Sequence, residues 1–251
     1  HLQGNWGPVK EELTSSELII KGKVPEGLNG LYIRNGMNPR SGYSDHWFFG
    51  NGMLHGFKFE NGKVSYKNRY VKTPYYEKDL DVISSFSDLN ASPANTHIVK
   101  HAGKLLALEE AHLPWEVDEE LETKGVYDFS GKLKGAMTAH SRICPKTGEL
   151  LFFSYSMMSE PYLTYYRVNK KGELNIVCII RKKLSNNIDL RALIRKEILS
   201  QNKNLENIFM KIVEFFILFF VSAPPPRRGD ISRDGKVVVL WRSGCPFLLF
   251  F

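Results

Sequence analysis

Turn signals recur at nearly even intervals through the first two thirds of this chain, and that spacing constrains the fold more than any other feature. Residues 54–60 run into Asn61-Gly62, and 64–71 follow. Asn-Gly between two β-prone runs is a strong hairpin signal, because both turn positions need positive φ. Residues 96–101 meet Ala102-Gly103 before 104–109, residues 139–144 meet a turn ending at Gly148 before 149–157, and residues 162–168 meet one ending at Gly172. Gly62, Gly103 and Gly148 are separated by 41 and 45 residues. Propeller blades repeat at about 40–50 residues. A β-sandwich also spaces its turns regularly, so spacing alone leaves both architectures open. Helix is expected only as a turn over residues 115–121.

The character changes near Asn175. Residues 185–199 read as a helix that Asn187 can cap, with Ile188, Leu190, Leu193, Ile194, Ile198 and Leu199 supplying an apolar face of loose helical spacing. A second apolar run covers 208–221 and ends at Pro224-Pro225-Pro226, and 231–241 returns to hairpin grammar around Asp234-Gly235. The domain reading is therefore 1–174 all-β, then a basic tail, 175–251, with one or two helices and a short hairpin.

The net charge of +7 is carried wholly by that tail, which holds 13 Lys and Arg against 6 Asp and Glu. The β-rich part is neutral, so it offers no basic face for nucleic acid. A composition 43% hydrophobic and 24% charged excludes wholesale disorder and a coiled coil. Cys144, Cys178 and Cys245 are odd in number and form no CxxC pair, which excludes a disulfide scaffold and leaves the reducing cytosol as default. The most apolar stretch, 215–221, is short of the roughly 20 residues of a spanning helix. It could rest on a membrane surface beside its arginines, or lie buried in the tail. Beginning at His1 and ending in an apolar run at 247–251, the chain reads as a piece of a longer protein.

No nucleotide-binding glycine loop and no GxSxG elbow is present. His97 and His101 have the i, i+4 spacing of a helical zinc pair. They fall in an expected strand, however, where about 13 Å would separate them along one face. Any metal site must gather single histidines from distant strands.

Three segments carry a family likeness: Gly30-Leu-Tyr-Ile-Arg-Asn-Gly-Met-Asn-Pro39, His46-Trp-Phe-Phe-Gly-Asn-Gly-Met-Leu-His-Gly-Phe57 and Asn68-Arg-Tyr-Val71. Leu105-Leu-Ala-Leu-Glu-Glu-Ala111 and the segment from Ala136 through Thr138-Ala139-His140 to Leu150 continue in order. These motifs resemble the N-terminal part of the carotenoid cleavage oxygenases over about residues 5–174. The resemblance implies an incomplete seven-bladed β-propeller with Fe2+ on its axis, held by four histidines from different blades and supported by glutamates. It further implies an apolar tunnel for a polyene or stilbene, O2 as co-substrate, and cleavage of a double bond to carbonyl products. It does not distinguish cleavage from isomerisation.

Carried over by position, His140 matches the first metal-binding histidine and Glu110 a glutamate that hydrogen-bonds a different, downstream ligand histidine. No residue is assigned as a catalytic acid, base or nucleophile. Without the resemblance, Glu110 reads equally well as a solvated strand end. His55 is expected to fix a strand pairing. Arg34 and Asn35 are either a turn-stabilising polar cluster or a wall of the metal cavity. Phe152, Phe153, Tyr155, Tyr165 and Tyr166 read as core aromatics. No histidine occurs from 141 to 251, so one of the four iron ligands is present. Two readings follow: an iron-dependent dioxygenase of which this is part, cytoplasmic or peripheral to a membrane, or a catalytically inactive truncated propeller serving as a binding module.

Overall fold

A computed structural model describes residues 2–4, 7–44, 46, 48–156 and 160–180. All of them belong to one compact unit. They form three four-stranded antiparallel sheets and two one-turn helices, α1 (Pro74–Glu77) and α2 (Val82–Ser85).

The first sheet contains β1 (Thr14–Ser15), β2 (Gly30–Met37), β3 (Gly52–Glu60) and β4 (Lys63–Tyr70), in the order β1-β4-β3-β2. The second runs in chain order through β5 (His97–His101), β6 (Lys104–Leu108), β7 (Trp115–Val117) and β8 (Thr123–Val126). The third is ordered β12-β11-β10-β9, from β9 (Arg142–Ile143), β10 (Leu150–Tyr155), β11 (Leu163–Val168) and β12 (Leu174–Ile180). The fold is thus the expected all-β, partial propeller. The described residues hold three blades, and those from 2 to 29 contribute only the two-residue strand β1.

The expected hairpins form where the turn chemistry places them. Asn61 and Gly62 adopt φ of 51° and 75°, joining β3 to β4. Ala102 and Gly103 adopt 48° and 78°, joining β5 to β6. Both pairs have the two positive φ values that let a tight turn follow the strand twist. The region from 115 to 121 differs from expectation: it begins as β7, not as a helical turn. Trp115 and Val117 are buried while Glu116 between them is not, a period of two that sends both apolar side chains into one interface.

Side-chain alternation along β6 explains how the sheets stack. Leu105 and Ala107 pack toward the first sheet with Leu54, Trp115 and Leu121. Leu106 and Leu108 pack the opposite way, with Phe152, Tyr166 and Leu150 of the third. A strand buried on both faces needs apolar residues at every position, as Leu-Leu-Ala-Leu supplies. Phe152, Phe153, Tyr165 and Tyr166 are buried, as expected of core aromatics.

β2 and β5 are edge strands that meet each other, and the Asn35 amide fixes the junction by donating to the carbonyls of Ala94 and His97, 2.9 Å each. β12 carries the third sheet past position 174, where the tail was expected to begin. The expected helix at 185–199, the apolar run 208–221 and the hairpin at 231–241 lie outside the described residues. Among the described residues no helix is long and apolar enough to cross a membrane.

Candidate metal centre

Two successive glutamates follow β6, and strand alternation sends their side chains apart. Glu109 turns toward His112: its Oε2 lies 2.6 Å from Nδ1 and also accepts from the Ala111 N–H at 2.9 Å. Nε2 of His112 donates to the Ser85 carbonyl at 3.1 Å. This histidine is buried and stacks on Phe86, so its nitrogens are committed to structure.

Glu110 turns toward the loop entering β9. Its Oε2 accepts from the Thr138 hydroxyl at 2.9 Å, and the Ala139 backbone N–H also donates to the carboxylate. Its Oε1 lies 3.1 Å from Nε2 of His140, facing it without an aligned hydrogen bond. Local chain geometry holds the loop: the Thr138 N–H donates to Phe153 in β10 at 3.1 Å, and the His140 N–H donates to the Thr138 hydroxyl oxygen at 3.2 Å. The His140 side chain is 36% exposed and that of Glu110 16%.

A carboxylate beside an imidazole would by itself draw both toward their charged forms. Burial acts oppositely on each and prevails here. It lowers His140 to about 4, helped by the nearby Arg142 and His97, and raises Glu110 to about 7. The imidazole of His140 is neutral, because desolvation and two neighbouring basic groups all disfavour its cation. Neutral imidazole is the form that ligates a metal.

His97 opens β5 close enough to His140 to influence its charge. Its side chain reaches solvent, yet the surrounding protein and Arg142 lower its pKa. His101, at the far end of the same strand, uses Nε2 to hold the Gly148 carbonyl at 3.1 Å, so the two share no metal. His55 sits in β3 with Nδ1 2.7 Å from the Tyr66 hydroxyl, a pairing role as expected. Asn35 ties two sheets together, whereas Arg34 is exposed on β2.

Sequence reasoning did not foresee the direct approach of Glu110 to His140, having attached that carboxylate to a downstream histidine. It also passed over Thr138, and His97 as a neighbour of His140. The repeated placement of a histidine where an edge strand begins, at 97 and just before β9, was the available signal.

The chain was compared with known proteins. The family model for retinal pigment epithelial membrane protein matches residues 6–198. The chain belongs to the carotenoid cleavage oxygenase family. It is 35% identical over 210 residues to the carotenoid 9,10(9',10')-cleavage dioxygenase 1 of Arabidopsis thaliana, covering 68% of this chain and 38% of that protein. It is 38% identical over 182 residues to the carotenoid cleavage oxygenase of Mycobacterium tuberculosis, covering 68% and 36%. The crystal structure of Pseudomonas brassicacearum lignostilbene dioxygenase superposes with a TM-score of 0.62 at 34% identity, over 69% of this chain and 41% of that one. The chain therefore spans about two fifths of the length of these relatives.

His140 suits Fe(II) as one ligand, being neutral and half-open to the space at the sheet edges. Among the described residues, however, no group of three His, Cys, Asp or Glu is placed to hold a metal ion. These residues do not by themselves make up an iron centre.

Proposed function

We propose that this chain is part of a non-haem Fe(II) dioxygenase that cleaves a carbon–carbon double bond of a carotenoid, apocarotenoid or stilbene to two carbonyl products, with O2 as co-substrate. His140 is one imidazole ligand of the iron, completed by ligands elsewhere in the whole protein, and Glu110 is a carboxylate that supports another of those histidines. The observation that carries this reading is the neutral, half-exposed His140 held 3.1 Å from a buried carboxylate where the sheet edges meet. Imidazole ligands suit ferrous iron and leave its charge uncompensated for further ligands. A carboxylate behind a ligating histidine fixes ring orientation and raises its basicity. The relatives are a carotenoid cleavage dioxygenase, a carotenoid cleavage oxygenase and a lignostilbene dioxygenase, which supports this substrate class.

The test uses the complete protein, supplied with O2 and with either an apocarotenoid or a stilbene. Carbonyl products are expected, and His140→Ala is expected to abolish them while leaving the circular dichroism spectrum unchanged. Undiminished turnover by His140→Ala would remove this residue from the iron shell.

The lack of any histidine after position 140 favours a second reading for the 251-residue chain taken alone: a catalytically inactive propeller segment acting as a binding module. Tight retention of iron near one atom per chain by residues 1–251 would contradict that reading.

A further inference from the structure

Four Asn-Gly pairs occur in the sequence, at 29–30, 35–36, 51–52 and 61–62. Such a pair can react with itself. The glycine backbone nitrogen attacks the carbonyl carbon of the asparagine side chain and a C–N bond forms. The side-chain nitrogen leaves as ammonia, taking the proton of the glycine amide. Water then opens the resulting succinimide at either carbonyl, giving aspartate or isoaspartate. Glycine favours the closure because it has no Cβ to block the approach and reaches backbone conformations other residues avoid. A fold slows it wherever the glycine N–H or the asparagine amide is already bonded.

The structure separates the four pairs. Asn51 is buried and its Oδ1 accepts from the Arg40 N–H at 3.0 Å, while the Gly52 N–H donates to the Pro93 carbonyl at 2.8 Å, so both reacting groups are held. Asn35 lies within β2, and its amide donates to the carbonyls of Ala94 and His97, 2.9 Å each. Asn29 is exposed, but its Oδ1 accepts from the Asn61 N–H at 2.8 Å and its Nδ2 donates to the Glu26 carbonyl at 3.4 Å. Asn61 differs from all three. It is exposed at the tip of the β3–β4 hairpin, and its side-chain amide makes no hydrogen bond among the described residues. The ladder closes at the Glu60–Lys63 pair, which leaves the Gly62 N–H outside it. The turn must swing to bring that nitrogen onto the side chain, and exposed loop tips open at the least cost. We infer that Asn61 is a modification site, converted through the succinimide to aspartate and isoaspartate, a reaction the fold suppresses at the other three pairs. The product carries a carboxylate where the amide stood, and isoaspartate adds a methylene to the main chain of a two-residue turn.

The test incubates the full chain, folded and in parallel in urea, in mildly alkaline buffer made with isotopically labelled water. Peptide mapping by mass spectrometry then follows each Asn-Gly pair. Label in the new carboxyl group distinguishes conversion during incubation from conversion during handling. In urea the four pairs should react at similar rates, since only the dipeptide chemistry remains. In the folded protein Asn61 should convert several times faster than Asn29, Asn35 and Asn51, with isoaspartate among its products. Conversion of Asn61 no faster than that of Asn35 or Asn51 would overturn the inference, as would faster conversion at Asn29. The same order of rates in urea as in the folded protein would assign the preference to neighbouring residues and contradict the role given to the fold. Neither iron nor turnover enters the readout, so the result is independent of the oxygenase reading.

Discussion

At the scale of single residues, three histidines illustrate how one side-chain type takes different roles. His112 is enclosed by Glu109, Ser85 and Phe86, His101 clasps the neighbouring sheet, and His140 alone combines a carboxylate partner with an open side. The Thr138-Ala139-His140 motif singled out His140 in the sequence, but the ring's approach to Glu110 was not legible there. That contact spans two sheets and depends on a distance that local sequence does not encode. His55 yields a pH prediction. Burial, aided by Arg34, lowers it to about 4 from an ordinary 6.5, so the folded state disfavours its protonation. Stability is then fully present above pH 6.5 and is lost as the pH falls toward 4. The urea midpoint should fall across that window, and by less in His55→Gln. An equal fall in both proteins would assign the effect to other groups, His97 and His140 among them.

Among the elements, hairpins were the most legible feature, because Asn61-Gly62 and Ala102-Gly103 act within four residues of chain. β7 was misread because it is short and its apolar pair, Trp115 and Val117, has meaning only against the facing sheet. The junction between the first two sheets was likewise hidden in sequence. There a Cβ on Gly52 would lie 2.1 Å from the Ala94 carbonyl oxygen and 2.8 Å from that of Pro93, both backbone atoms. The Gly52 N–H also donates to Pro93 at 2.8 Å, so β3 and the loop entering β5 cannot separate without losing that bond. Gly52→Ala should cost about 3 kcal/mol or more, the upper range for overpacking a tight site. Urea denaturation checks this, and a cost within about 0.5 kcal/mol, the range of neutral surface changes, would show that the junction relaxes freely. The interface between the second and third sheets centres on Phe152, which is fully buried and stacks on Tyr166 and Phe129. Phe152→Ala should lose about 3–5 kcal/mol through the cavity it leaves. A loss under about 1 kcal/mol would mean that the two sheets collapse onto the gap.

Over the whole molecule, the three sheets place their edge strands β2, β5 and β9 so that residues from separate blades can approach one centre. Asn35 and His97 meet across the first junction, while Arg142 lies close enough to both His97 and His140, and His97 to His140, to disfavour the imidazolium form of each. Even glycine spacing pointed toward this arrangement but could not distinguish it from a sandwich, whose turns are also regular. The family motifs supplied that distinction, and the stacking of sheet upon sheet through the two faces of β6 agrees with it. The central claim is that His140 is an iron ligand in the complete protein, and ferrous affinity measured by competition with a chelator tests it most directly. Wild-type protein should retain about one Fe per chain, and His140→Ala should bind it about tenfold more weakly or worse, since changes even to groups supporting the ligands cost about 10–100-fold. Equal iron affinity in wild-type and His140→Ala proteins would contradict the account.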